Sequence, residues 1–281
     1  MRTALPRVSV AACRVAVLVF RVTGVFVRGS PSGSLKYMVR VKVTLRDPYS
    51  VRWFRLNGIG FAGLTPPPSL ALTEPFYERV NRMPPRGLSD GVRLLIVPRA
   101  PLGRWRGKAR VYAEVIRELA ARYRGLEVVL MGQSSVEGFR DDDYGEIGLI
   151  LGCLGPGLRR RVRVVDVGAL SISEVFETVS GFDCVVSERA FAAVMGLSLR
   201  VPVIAVDPYG GKTLGLMELF GFGRFVIPLR ELEASKVVAL FEEVVGRRGF
   251  YRSLLDRVSR KLFLQAVDGT RRLFSQADLG L

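Results

Sequence analysis

A chain of 281 residues, 49% of them apolar and with a mean hydropathy of +0.25, can bury a core of domain size and is not a disordered polymer. Its net charge of +16 comes from 42 basic residues of which six are lysine; this favours phosphorylated small molecules, acidic glycans, nucleic acid or an anionic membrane, or else dresses a solvated basic surface. The absence of histidine excludes Ser-His-Asp triads, histidine-dependent zinc sites and imidazole acid–base chemistry, so any acid or base must be Asp, Glu, Lys, Tyr or Cys.

Residues 8–20 are apolar behind Arg2 and Arg7, but Arg14 interrupts them and no small-residue cleavage site clearly follows. The segment reads as a buried strand and not as a membrane span or leader. Strands near 15–20 and 41–45, a helix over 48–56 and the prolines at 66–68 amount to part of an α/β domain, and residues 83–89 read as a linker. From residue 92 onward strands and amphipathic helices alternate. Strands are expected at 92–97, 127–131, 162–167, 183–187, 202–206 and 225–227. Helices are expected at 108–123, 143–153, from Ser171, and over 189–197, 212–220 and 235–246. Ser171 and Glu174 form a capping box. Apolar strands separated by helices predict a doubly wound parallel sheet of about six strands. The expected organisation is a partial N-terminal α/β domain over 1–88, a Rossmann-like domain over 89–248 and a basic C-terminal helix over 249–281 that packs across the domains.

Several motifs lose their chemistry in context. Gly58-Ile59-Gly60-Phe61-Ala62-Gly63 matches the dinucleotide fingerprint as text, but a helix precedes it, and Gly58 is better explained as the residue ending that helix. Gly211-Lys212-Thr213 resembles the tail of a P-loop whose first glycine would fall on Val206. Lys212 alone, at a helix start, can still neutralise a phosphate. Asp141, Asp142 and Asp143 lack further metal-ligand spacing and read as a charged loop favouring the next helix N-terminus. Cys13, Cys153 and Cys184 have no paired or metal-like spacing and read as reduced core residues of a cytosolic protein, Cys184 lying in a buried strand.

The block over 183–221 carries Ser187-Glu188-Arg189-Ala190-Phe191 at one strand-to-helix turn and Tyr209-Gly210-Gly211-Lys212 at the next. It resembles the C-terminal signature of the polysaccharide pyruvyl transferase family, Ser-x-Arg-x-His followed by Tyr-Asp-Pro-Lys. Upstream, Arg46-Asp47-Pro48-Tyr49-Ser50 is similar to the family's Arg-Asp-x-x-Ser turn, and Arg99 falls where members tend to place an arginine. The resemblance runs from about residue 29 to residue 245. It departs at Phe191, which stands in the histidine position, and at Gly210-Gly211 in place of Asp-Pro. The glycine-rich opening turn of the family is not found, so the first part of the N-terminal domain is either missing or diverged.

The resemblance implies a glycosyltransferase-B-like fold and a transferase that moves pyruvyl from phosphoenolpyruvate to a hydroxyl pair of a cell-surface glycan or lipid-linked sugar. Arg46, Arg99, Ser187, Arg189 and Lys212 are then the substrate-binding set. With the family histidine replaced, Glu188 and Glu218 are the catalytic candidates, Asp207 a further one, and a carboxyl group serves only if burial raises its pKa. No cofactor and no metal are expected. The partners implied are a phosphorylated small molecule, a glycan or lipid-linked acceptor and peripheral contact with an anionic membrane. The expected location is the cytoplasm, at the inner membrane face. Nucleic acid is not expected, since no aromatic-basic platform is visible. Two alternatives stay open: a non-catalytic relative that binds a phosphorylated ligand or a partner chain, and another enzyme of this fold using a nucleotide sugar.

Overall fold

The computed structural model describes residues 17–29, 35–45, 47–56, 63–64, 66–67, 70, 91–100, 107–135 and 142–275. The first element pair is an antiparallel hairpin of β1 (Val17–Gly29) and β2 (Leu35–Leu45), with register shifts between Phe20 and Val25. These strands extend well beyond the 15–20 and 41–45 expected. Arg, Thr and Gly interrupt the apolar run of β1, so a reading by continuous hydrophobicity stops short. Helix α1 (Pro48–Leu56) follows, with proline at its first position, where the missing N–H costs nothing. A two-residue strand β3 (Gly63–Leu64) then pairs in parallel with the end of β2. Gly58 and the linker at 83–89 lie outside the described residues.

The second sheet is wholly parallel. Its strands are β4 (Arg93–Val97), β5 (Glu127–Gly132), β6 (Val162–Asp166), β7 (Cys184–Ser187), β8 (Val203–Asp207) and β9 (Val226–Pro228), in the spatial order β6-β5-β4-β7-β8-β9. Six parallel strands in that order form the dinucleotide-fold topology, and the order reverses between β4 and β7. Strands β7 and β8 are buried along their whole length, as continuous Val/Ile runs require when helices cover both faces.

The helices are α2 (Lys108–Arg122), α3 (Asp143–Gly152), the single turn α4 (Pro156–Arg159), α5 (Ile172–Ser180), α6 (Ala190–Ser198), α7 (Lys212–Leu219), α8 (Ala234–Gly246) and α9 (Arg248–Ser275). Helix α2 packs against α3 and α8, and α6 packs against α5 and α7, which gives the sheet its two covering layers. The capping box at Ser171 and Glu174 is present, with Glu174 accepting from both the backbone and the hydroxyl of Ser171. Helix α9 begins one residue before the 249 expected for the basic C-terminal helix and is separated from α8 by Arg247 alone. It lies on α6 and α8 through buried Tyr251, Leu255, Leu262 and Ala266, and Ser259 Oγ donates to Leu197 O.

A cation-lined cleft at the strand carboxyl ends

All six strands point their carboxyl ends the same way, and a cleft of about 540 Å³ opens there around the point where strand order reverses. Arg99 comes from the turn after β4, Gln133 and Ser134 from the turn after β5, and Val167 from the end of β6. Glu188 and Arg189 come from the turn after β7, Tyr209 from the turn after β8, and Lys212 and Thr213 open α7. Val175 and Phe176 of α5 and Ile172 at its start close one side, with Phe191 of α6 beside them. The cleft therefore has a cationic wall and an apolar wall. On the apolar wall Ile172 and Phe191 are 70% and 47% exposed.

The cationic wall is built around Asp143. Its carboxylate is fully buried and accepts backbone N–H groups from Ala100 (2.9 Å), Gln133 (2.9 Å) and Ser134 (3.0 Å). It also accepts Arg189 Nε at 3.0 Å and pairs with the second edge nitrogen of the same guanidinium. One carboxylate thus ties together the turns after β4, β5 and β7, and fixes Arg189 bidentately at the cleft. Its neighbour Asp142 caps α3 by accepting from Tyr144 N at 3.0 Å. The acidic run does favour the helix start, but its second role, at Asp143, has no local sequence signal. Arg99 lies over the Tyr209 ring at 5.0 Å, a cation–π arrangement. Lys212 is solvent-exposed and follows Gly211, whose φ of 132° is open to glycine at little cost.

The cleft floor rests on a second cluster of buried side chains, of which Glu188 reaches the cleft. Lys108 Nζ donates to Glu188 Oε1 and Oε2 at 3.1 and 2.8 Å and to the carbonyl oxygen of Arg99, and Tyr112 Oη donates to Glu188 Oε1 at 2.9 Å. Both side chains of the ion pair are 1% exposed. Burial pushes the Glu188 carboxyl above its usual range, while Lys108 and the Tyr112 hydroxyl pull it back part of the way. Burial together with Glu188 raises the Tyr112 phenol. Glu146 of α3 belongs to the same group. Its carboxyl is raised chiefly by burial, Lys108 lowers it and Glu188 raises it further, and its Oε1 has no hydrogen-bond partner among the described residues.

Arg99, Glu188, Arg189 and Lys212 therefore meet in one cleft, together with Phe191, the residue expected in the family's histidine position. Ser187 does not line it: its hydroxyl donates to Arg189 O at 2.9 Å and accepts from Arg189 N at 3.0 Å, and so shapes the turn that presents the arginine. Glu218 is not among the cleft residues either and pairs with Arg52 of α1 at 2.8 Å. The Asp207 carboxylate is occupied by the N–H groups of Tyr209, Gly210 and Gly211, holding the loop before α7. Arg46 lies outside the described residues. Cys184 is buried and its thiol is pushed far up, as desolvation requires. Among the described residues no helix is long and apolar enough to cross a membrane.

The parallel six-stranded sheet and its flanking helices form a glycosyltransferase-B-like α/β fold, and the cleft lies at the strand carboxyl ends, the edge where open α/β sheets take their ligands. The sequence profile of the polysaccharide pyruvyl transferase family matches residues 35–209, and the chain belongs to that family. No curated protein matches it. Among solved structures, the UDP-GlcNAc 2-epimerase of Methanocaldococcus jannaschii, solved in complex with UDP-GlcNAc and UDP, aligns with a TM-score of 0.52 at 11% identity. That alignment covers 79% of this chain and 60% of that one. ADP-heptose LPS heptosyltransferase II of E. coli gives 0.43 at 14% identity, over 63% of this chain and 52% of that one. The glycosyltransferase of kitacinnamycin gives 0.43 at 15% identity, over 68% and 46%. The likeness to the epimerase is one of fold. The chain spans about half the length of the two transferases.

Proposed function

We propose that the protein transfers pyruvyl from phosphoenolpyruvate to a hydroxyl pair of a cell-surface glycan or lipid-linked sugar, with the donor held in the cleft described above. The observation that carries this reading is the convergence of Arg99, Arg189 and Lys212, from three different turns, beside the buried carboxyl of Glu188. The Arg99 guanidinium and the exposed Lys212 ammonium suit the phosphate and carboxylate of such a donor, with Arg189 held beside them by Asp143. The transfer needs a proton on the methylene carbon, after which an acceptor hydroxyl attacks the oxocarbenium-like centre, phosphate leaves and the second hydroxyl closes the ketal. Glu188, with its raised pKa, supplies that proton in place of the missing imidazole. The apolar wall of Ile172, Val175, Phe176 and Phe191 is left for the acceptor. We place the protein in the cytoplasm, against the inner membrane face. The exposed Arg257, Arg260, Lys261 and Arg271 of α9 support an attraction to anionic lipid there.

A second reading, a relative that binds a phosphorylated ligand without chemistry, is favoured by Phe191 alone. Phosphate release from phosphoenolpyruvate in the presence of a glycan panel separates the two. The transferase reading expects turnover by the native chain and a fall of about 10² to 10⁴ in rate for Glu188→Gln. Turnover only after Phe191→His establishes the binding-only reading. Silence from both the native chain and that variant removes the transferase assignment.

A further inference from the structure

In the run Gly211-Lys212-Thr213 that opens α7, the lysine reaches solvent and the threonine does not. Lys212 is exposed, whereas Thr213 is 2% exposed and still lines the cleft. The Thr213 hydroxyl has no hydrogen-bond partner among the described residues, although a helical threonine can return its hydroxyl to the preceding turn. Its oxygen is not one of the sealed atoms, so the surface it keeps opens into the cleft that the residue lines. A nearly buried hydroxyl left unsatisfied by the fold is available to a ligand.

Two backbone donors stand beside it. The N-cap of α7 is Gly211, which has no side chain to cap the helix, and the N–H groups of Thr213 and Leu214 have no acceptor among the described residues. Asp207 accepts the N–H groups of Tyr209, Gly210 and Gly211 and reaches no further into the helix, and it is not among the cleft residues.

We propose that the start of α7 seats the phosphoryl group of the donor, with the Thr213 hydroxyl and the N–H groups of Thr213 and Leu214 donating to it and the Lys212 ammonium as counter-charge, while the donor's carboxylate lies on Arg99. The inference rests on the anion-site reading above; it adds Thr213 as a binding residue and orients the donor. The shapes of the two anionic ends separate them. A phosphoryl group carries three terminal oxygens and calls for donors that converge from several directions, as a helix start, a hydroxyl and an ammonium do. A carboxylate presents two oxygens in one plane, the match of a single guanidinium fork. Arg99, set over the Tyr209 ring at 5.0 Å, supplies that fork. Arg189 adds no second one, since its Nε and an edge nitrogen already bond Asp143.

The probes are the two halves of the donor, inorganic phosphate and pyruvate, each titrated calorimetrically at low salt into the native protein, Thr213→Val and Thr213→Ser. Valine keeps the shape of threonine and removes the hydroxyl. Thr213→Val is expected to weaken phosphate binding roughly tenfold or more and to leave pyruvate binding within about twofold. Thr213→Ser, which keeps the hydroxyl, is expected to bind phosphate within about threefold of the native protein. Because the hydroxyl has no partner in the fold, Thr213→Val is also expected to melt at or above the native Tm. Phosphate binding undiminished in Thr213→Val, loss of pyruvate binding in that variant, or a clearly lowered Tm overturns the inference and leaves the anion site standing. A native protein that binds phosphate and not pyruvate overturns the seat given to the carboxylate. Absence of phosphate binding to the native protein removes the anion site and this inference with it.

Discussion

Asp143 and Arg189 stand 46 residues apart in sequence, and their bidentate pair decides how the cleft presents its central guanidinium. Neither the pair nor the contact between Lys108 and Glu188 across 80 residues carries a local signal, because each exists only once β4, β5 and β7 are aligned. Arg99, Glu188, Arg189 and Lys212 could be named from sequence since each sits at a strand-to-helix turn. Asp143, Lys108 and Glu146 could not, since their surroundings there are an acidic run, a basic loop and an ordinary helix. The buried pair also sets an energetic expectation. Lys108→Met leaves Glu188 uncompensated and is expected to cost about 3–5 kcal/mol in urea unfolding. Adding Glu188→Gln to that variant is expected to restore more than half of the loss, because the double substitution removes the orphaned charge. An additive double variant contradicts a direct coupling between the two.

At the scale of elements, the Arg46-to-Ser50 turn divides into separate roles. Asp47 is buried and caps α1, accepting Ser50 N at 2.8 Å and Ser50 Oγ at 3.1 Å, so this part of the motif builds the helix start. Helix α1 in turn packs on α7, where a Cβ at Gly215 would collide with the Asp47 carboxylate and the Arg52–Glu218 pair spans the same contact. Gly215→Ala is therefore expected to lower stability by about 1–3 kcal/mol, measured by thermal or urea unfolding. Asp47→Ala is expected to remove part of that penalty in the double variant, and an unchanged Tm for Gly215→Ala alone contradicts the close contact. Helix α1 was legible to the residue and the capping box at Ser171 equally so, because proline, serine and glutamate write helix starts into short sequence. The β1–β2 hairpin was legible only in part, since an antiparallel pair keeps no continuous apolar run.

For the molecule as a whole, the strand order matters more than any single contact. It brings turns from positions 99, 133, 188 and 209 to one edge, so that a net charge of +16 spread over the sequence becomes, locally, a cleft with three cations and an apolar wall. The parallel sheet was readable from the alternation of strands and helices. Its order was not, since spacing in sequence does not say which strand neighbours which. The central claim is that this cleft binds a phosphorylated anion. Calorimetric titration of the native protein with phosphoenolpyruvate at low salt, beside Lys212→Ala at the exposed helix start, tests it most directly. The expected result is saturable binding that weakens roughly tenfold or more in the variant and falls as salt is raised. Absence of binding to the native protein, or affinity unchanged by removing Lys212, contradicts it.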